Sequence, residues 1–280
     1  MRNGNNSSMR GARSRRLPFR ARSLSGVLLP AFVLLSVLLA ARTGLAGESW
    51  RTLSSPHFDV HFPAGTEAFA QEVARTAERA RARLLAATGL PSPARTQIVI
   101  AAGSDLSNGA TDVLLYNRIL VEPAFPTPET SYESGLSPRT ADWLEMLLLH
   151  EYAHVLQLTL TDETVDELRA LFGHVPVAST PGLLAPPALI EGYAIFEETR
   201  LSDAGRGRDP YFDMFLRAAV LEGRIPPLDR YLGLYDLGRW QPTGTAYLFG
   251  YSVLSYVAAT YGPERVIALI RAFVTGPGSL

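Results

Sequence analysis

Apolar and polar residues alternate in the first half of the chain, and this period of two predicts β-strands. In the first such stretch, Phe58, Val60 and Phe62 alternate with polar neighbours until Pro63 ends the run. Two later stretches are short and rich in β-branched and aliphatic residues. The three predicted strands lie within residues 48–65, 96–102 and 112–123.

Longer stretches with a helical period separate or follow these strands, and Gly or Pro marks their ends. The predicted helices cover residues 66–89, 138–158, 187–200, 209–222, 245–261 and 263–274. Pro-rich loops are predicted over 124–138 and 173–187, and the acidic residues of 162–167 predict a solvated turn. This order predicts an α+β fold, with an N-terminal mixed sheet, then the helix 138–158, and then a helical C-terminal half.

The first 46 residues have the pattern of a secretory signal peptide. Seven arginines precede an apolar run at 25–41, and Gly44 and Ala46 occupy positions −3 and −1 of a cleavage site after Ala46. The alternative is an uncleaved N-terminal membrane anchor, because the run has about the minimum length of a span, roughly 17–25 residues. In both cases the basic end stays in the cytoplasm. We therefore expect residues 47–280 to form an extracytoplasmic domain.

Charge and cysteine content restrict the partners and the location of this domain. After Gly47 the chain has 18 basic and 27 acidic residues, a net charge of −9, which argues against a nucleic-acid-binding surface. The chain contains no cysteine, so it forms no disulfide and carries no lipoprotein anchor. An extracytoplasmic domain without disulfides is typical of a bacterium, which favours the periplasm, the envelope or secretion.

The predicted helix 138–158 contains the segment LLLHEYAHVLQL, in which His150 and His154 are four residues apart. Residues i and i+4 share a helix face, so the two imidazoles can bind one Zn²⁺. Glu151 is rotated by about 100° from His150, where a carboxylate suits a base acting on water activated by the metal. Because the flanking residues are apolar, both histidines should be buried, and a metal removes the cost of burying unpaired imidazoles.

A catalytic zinc ion needs three protein ligands and one open position. A metzincin-type third histidine is excluded, because Gln157 and Leu160 stand where that class has glycine and histidine. Glu191 begins an apolar helix in PPALIEGYAIFEE, where Gly192 would let the HEYAH helix approach closely. A carboxylate in such a stretch needs a partner, so we predict Glu191 as the third ligand, although the helix dipole alone also favours glutamate there. His174, in a predicted loop, is the alternative ligand.

HEYAH followed by LIEGYAIFEE resembles the gluzincin metallopeptidases, in particular the peptidase MA-like domains related to the aminopeptidase N family. Members of that family carry HExxH on one helix and EGxA on the next. The resemblance implies a zincin-like fold for residues 47–280 and Zn²⁺ as the cofactor. It also implies that His150, His154 and Glu191 are the ligands and that Glu151 is the general base.

The resemblance extends to residues further along the chain. Glu198 matches a second carboxylate that orients a ligand, with a surface position as the alternative. Tyr247, with Gly250 three residues on, matches the tyrosine whose hydroxyl stabilises the oxyanion; Tyr251 is the neighbouring candidate, and a core aromatic is the alternative role. The chain has no GxMEN motif, which argues against aminopeptidase activity. The segment LLYNRILVEP is predicted to supply an edge strand that pairs with an extended peptide.

The sequence thus predicts a zinc metallopeptidase that hydrolyses peptide or protein substrates outside the cytoplasm. The alternative is a catalytically inactive metal-binding module of a larger cell-envelope protein. Glu151 separates the two, because a pure binding domain has no use for it. The last residues, TGPGSL, follow directly on a helix, so we expect the natural protein to continue beyond Leu280, for example into a fused C-terminal domain.

Overall fold

One mixed sheet occupies the N-terminal half of the computed structural model, which describes residues 49–103, 107–124, 143–172, 181–225, 227 and 245–275. Its strands are β1 (Trp50–Ser54), β2 (Phe58–Pro63), β3 (Thr96–Ile100), β4 (Ser107–Asp112) and β5 (Arg118–Pro123). They lie in the order β1-β2-β3-β5-β4. β3 is parallel to β2 and β5, whereas β1 and β4 are antiparallel to their neighbours. The predicted mixed sheet is confirmed.

The three central strands are held by apolar residues at matching positions. Val60 of β2 pairs with Ile98 of β3, and Ile98 pairs with Ile119 of β5. All three side chains are fully buried, as period-two alternation requires for strands that cover a core. The burial of these branched side chains fixes the register, since a shift by one residue would expose all of them.

The predicted third strand, 112–123, is wrong in its extent. Asp112 ends β4, residues 113–117 form a turn, and only β5 continues to Pro123. The cause is the Asp112 side chain, which accepts a hydrogen bond from the Leu114 N–H at 2.9 Å and so favours a turn. β5 lies inside the sheet, so LLYNRILVEP does not supply the edge; among the described strands, β4 and β1 are the edges.

Seven helices are described: α1 (Glu67–Thr88), α2 (Trp143–Leu158), α3 (Glu163–Phe172), α4 (Pro187–Leu201), α5 (Pro210–Leu221), α6 (Thr245–Tyr261) and α7 (Pro263–Thr275). The predicted acidic turn at 162–167 is wrong, because α3 begins there. The Asp162 carboxylate accepts a hydrogen bond from the Val165 N–H at 2.8 Å and caps the helix, whose dipole favours the acidic first turn. The signal segment 1–46 and the loop residues 125–138 lie outside the described part of the chain.

α2 lies at the centre of the molecule and packs against α1, β4 and α4. Of its 16 residues, 14 are buried, so its polar side chains need partners inside the protein. Tyr152 meets Phe58 of β2 edge to face, with ring centroids 5.4 Å apart. In the C-terminal half, α4 packs extensively on α6. None of the described helices is both long enough and apolar enough to span a bilayer.

Candidate metal centre

The two histidines of α2 converge at one buried point. His150 and His154 are 5% and 6% exposed, and their Nε2 atoms are 3.1 Å apart. The rings meet edge to face, with centroids 4.7 Å apart. This arrangement follows from the helix, because residues four apart lie one above the other. The two ring nitrogens therefore point at a common position.

Glu191 reaches the same position from α4. This helix begins at Pro187, where the ring sets the helical φ angle and the missing N–H costs nothing. The Glu191 Oε2 atom lies 3.5 Å from Nε2 of His150 and 3.3 Å from Nε2 of His154. The alternative ligand, His174, lies outside the described residues.

The three side chains fit a metal ion. Two ligand atoms bound to a tetrahedral zinc ion at roughly 2.0–2.1 Å lie about 3.3–3.4 Å apart, close to the distances found here. In the described part of the chain, Glu191 Oε2 is buried without a hydrogen-bond partner. A carboxylate oxygen in that state needs a cation. His150, His154 and Glu191 thus form a group that could hold a metal ion.

The electrostatics of the group are those of a cation site. Burial and the Arg206 charge each lower the pKa of His150, but contacts with Glu191 and Glu198 outweigh them and raise it to about 9. Burial raises the pKa of Glu191, but the His154 charge and the contacts with both histidines hold it well below its usual range. In the absence of a metal, the site therefore attracts a proton in its place.

Glu198 holds the other nitrogen of His150. It is fully buried, and its Oε2 lies 2.8 Å from His150 Nδ1. A carboxylate that accepts the Nδ1–H bond fixes the tautomer and the orientation of a metal-ligating imidazole. The geometry therefore favours the ligand-orienting role over a surface position for this residue.

Arg206 is the site residue that the sequence reasoning missed. It lies in a short 3₁₀ turn after α4, is 7% exposed, and donates to both carboxylate oxygens of Glu198. No motif marks it, but it stands between Gly205 and Gly207. An arginine flanked by two glycines after the EGxA helix was the available signal, since such glycines allow the backbone to lie close to another element.

Glu151 follows His150 on α2 and is hydrogen-bonded to the sheet. The Thr111 hydroxyl of β4 donates to its Oε2 at 2.7 Å and to its backbone oxygen at 2.9 Å. A Cβ atom at Gly109 would lie 2.9 Å from Glu151 Oε1, so β4 approaches this carboxylate closely because residue 109 is glycine. Glu151 is thus buried next to the candidate ligand His150 and is not itself part of the candidate ligand group.

Tyr247 of α6 lies over the ligands. Its ring stacks on the His150 ring with an interplanar angle of 16° and centroids 6.3 Å apart. Burial raises the pKa of the Tyr247 hydroxyl, and the charges of Glu191 and Glu151 raise it further, against the opposing charge of Arg206. The Tyr247 hydroxyl therefore keeps its proton, and the negative charges of Glu191 and Glu151 both act on it.

The close crossing of α4 and α6 positions Tyr247. A Cβ atom at Gly192 would lie 2.3 Å from the carbonyl carbon of Gly250, and one at Gly250 would lie 2.0 Å from the oxygen of Ala188. A helix does approach closely at Gly192, as expected, but it is α6 rather than the HEYAH helix. The spacing of Tyr247 to Gly250 now has a physical cause: the glycine sets the crossing one turn from the tyrosine.

Tyr251, the neighbouring candidate for the oxyanion, lies elsewhere. A Cβ atom at Gly207 would lie 2.2 Å from its hydroxyl oxygen, so its ring covers the turn that carries Arg206. The Tyr251 ring also lies against Phe212, with ring centroids 6.2 Å apart. Between the two tyrosines, it is Tyr247 that stacks on a candidate ligand.

Comparison of the chain with models of known protein families and with curated proteins found no match. The function is therefore inferred from the site itself.

Proposed function

We propose that this chain is a zinc metallopeptidase of the gluzincin type with a zincin-like fold, in which His150, His154 and Glu191 hold the metal. The observation that carries the proposal is the triangle of ligand atoms, with sides of 3.1, 3.3 and 3.5 Å, beside the Glu151 carboxylate. Structural zinc sites take four protein ligands, whereas catalytic sites take three and keep one position open. The described residues bring three together, which favours catalysis.

The ligand set supports zinc as the metal. Two imidazoles and one carboxylate are a set found in zinc peptidases, and the geometry fits a tetrahedral ion. When bound, zinc acts as a Lewis acid that polarises a carbonyl group and lowers the pKa of water to about 7.

Glu151 is proposed as the general base and then the general acid. It takes a proton from the attacking water, whose oxygen bonds to the carbonyl carbon of the peptide. The same proton passes to the leaving nitrogen as the C–N bond breaks, which yields a carboxylic acid and an amine. The hydrogen bond from Thr111 fixes the carboxylate for both transfers.

Tyr247 is proposed to stabilise the negative charge that develops on the carbonyl oxygen. Its raised pKa supports this role, because the hydroxyl stays protonated and can donate. The stacking on His150 fixes the ring over the ligands before substrate arrives.

β4 is proposed to bind the substrate backbone. It is an edge among the described strands, and it packs against α2. An extended peptide that pairs with such an edge forms main-chain hydrogen bonds that do not depend on its sequence. The close approach of Gly109 to Glu151 would bring that peptide next to the base. The N-terminal sequence pattern supports peptide or protein substrates outside the cytoplasm.

Hydrolysis of unstructured casein by the purified protein tests this function. We expect cleavage that a metal chelator abolishes and that added zinc restores. Cleavage that survives complete removal of the metal would contradict the proposal. A protein that holds one zinc ion and cleaves neither casein nor a broad peptide library would be the inactive module instead.

A further inference from the structure

The turn that carries Arg206 is pressed against two helices by its glycines. A Cβ atom at Gly205 would lie 2.2 Å from the Cα atom of Thr199 in α4, and one at Gly207 would lie 2.2 Å from Tyr251 Cζ in α6. Neither position accepts a larger residue without movement of backbone or ring. The sequence Gly-Arg-Gly therefore allows the close packing that places Arg206 next to Glu198 in the candidate metal site.

Arg206 binds Glu198 through three donors. Its backbone N–H and its Nε–H donate to Oε1 at 2.9 and 2.8 Å, and Nη2 donates to Oε2 at 2.8 Å. A planar guanidinium that engages both oxygens of a carboxylate fixes its rotation as well as its position. The orientation of Glu198 towards His150 is thus set by Arg206.

The Nδ1 atom of His150 has two neighbours, Glu198 Oε2 at 2.8 Å and Arg206 Nη2 at 2.6 Å. With Nε2 directed at a cation, the proton of the imidazole is on Nδ1, which can then only donate. Glu198 accepts hydrogen bonds and Arg206 does not, so Glu198 is the partner. The hydrogen bonds of Arg206 therefore orient the histidine through that carboxylate.

Arg206 also supports Tyr247 from the side. Its guanidinium carbon lies 5.5 Å from the centroid of the Tyr247 ring, and the same ring stacks on His150. One buried arginine therefore contacts the partner of a ligand and the proposed oxyanion donor together. A buried ion pair is often no more stabilising than apolar residues of the same volume, so stability alone is a weak reason for this arrangement.

We propose that Arg206 is a positioning residue of the metal centre: it fixes Glu198, which holds His150 with Nε2 directed at the metal. The inference rests on the ligand set of the proposed function. It extends the site beyond the carboxylate to the Gly-Arg-Gly turn, and it predicts that the planar guanidinium of Arg206 contributes to metal affinity through Glu198.

A double-mutant cycle on zinc affinity tests this. The zinc dissociation constant of the purified protein is measured by chelator competition for the wild type, Arg206→Lys, Glu198→Gln and the double variant. Lysine keeps the charge but loses the planar fork. We expect each single substitution to weaken zinc binding about 10–100-fold, as for other partners of metal ligands. The double variant should bind zinc as Glu198→Gln does, because the effect of Arg206 passes through Glu198.

Arg208→Lys is the matched control. Arg208 lies in the same 3₁₀ turn, and its Nε donates to the backbone oxygens of Thr199 and Ser202 rather than to a site residue. It should leave the zinc dissociation constant unchanged even if it lowers stability. If Arg206→Lys does not fold by circular dichroism, Arg206→Gln, which can still donate one hydrogen bond to Glu198, replaces it in the cycle.

Wild-type zinc affinity in Arg206→Lys, or additive losses in the double variant, would overturn the inference. So would a wild type that binds no zinc, which would overturn the proposed function as well. Because the cycle measures binding without substrate, a wild type that binds zinc tightly and cleaves nothing contradicts only the peptidase activity.

Discussion

At the scale of single residues, the charges of the buried site balance once a divalent cation is present. As carboxylates, Glu151, Glu191 and Glu198 would contribute three negative charges, and Arg206 contributes one positive charge. Buried charges are costly unless they are compensated, so the remaining two negative charges favour a doubly charged ion. The compensation explains why three different elements bury charged side chains at one place.

The ligand set gives the first prediction at this scale. His150→Ala, His154→Ala and Glu191→Ala should each abolish stoichiometric zinc binding, because a three-ligand site loses its geometry with any one of them. His174→Ala should keep the metal. Elemental analysis of the purified variants measures this. His61→Ala is the control, since His61 is hydrogen-bonded to Gln97 in the sheet and lies outside the cluster. Loss of zinc in His174→Ala, with retention in Glu191→Ala, would contradict the assignment.

Zinc affinity should depend on pH through His150. Its pKa is raised to about 9 without metal, so below that pH a proton must leave before zinc binds. Raising the pH removes the competitor. The apparent affinity should therefore rise about tenfold per pH unit from pH 7 towards 9 and then level off. Chelator competition at several pH values measures the slope.

Glu198→Gln gives the control for this pH dependence. The variant loses one of the contacts that raise the pKa of His150, so the levelling should move to lower pH. A zinc affinity that stays constant from pH 7 to 9 in the wild type would mean that His150 is already unprotonated there.

At the scale of secondary-structure elements, the crossing of α4 and α6 places Tyr247. We expect Gly192→Ala to destabilise the protein by about 1–3 kcal/mol, the usual cost of overpacking. It should also slow hydrolysis by up to about 10²–10³-fold, the effect of losing one oxyanion donor, because separation of the helices moves Tyr247. Denaturant unfolding and casein hydrolysis measure the two effects.

Gly103→Ala controls for the substitution itself. A Cβ atom at Gly103 meets nothing within 4 Å, so its stability should change by less than about 0.5 kcal/mol. Wild-type stability and activity in Gly192→Ala would show that the two helices are not held by this contact.

The sequence predicts some of the elements and some of the site residues, and it does not predict others. The central strands and the HEYAH helix follow from apolar periodicity, and the ligand triangle follows from the spacing of His150 and His154 and from Glu191 in an apolar stretch. β4, with the sequence SNGATD, has no such periodicity and forms a strand because β5 pairs with it. Arg206 joins the site through tertiary contacts, and its two flanking glycines are a weak local signal for it. Apolar periodicity predicts neither β4 nor Arg206.

At the scale of the whole molecule, the site joins the two halves of the described chain. β4 contributes Thr111, α2 contributes both histidines and Glu151, and α4 and α6 contribute Glu191 and Tyr247. The sheet half thus fixes the proposed base through the hydrogen bond from Thr111. The helical half contributes the third ligand and the proposed oxyanion donor. The proposed catalysis requires both halves in one arrangement, which the central helix α2 provides.

The most direct test of the proposed peptidase is the rate of casein hydrolysis by Glu151→Gln at zinc content equal to the wild type. Glu151→Gln keeps the shape of the side chain and removes the base, so the rate should fall about 10²–10⁴-fold while zinc and fold are retained. Glu145→Gln, on the same helix but paired with Arg83 at 2.6 Å, should match the wild type. Hydrolysis by Glu151→Gln at the wild-type rate would contradict the mechanism.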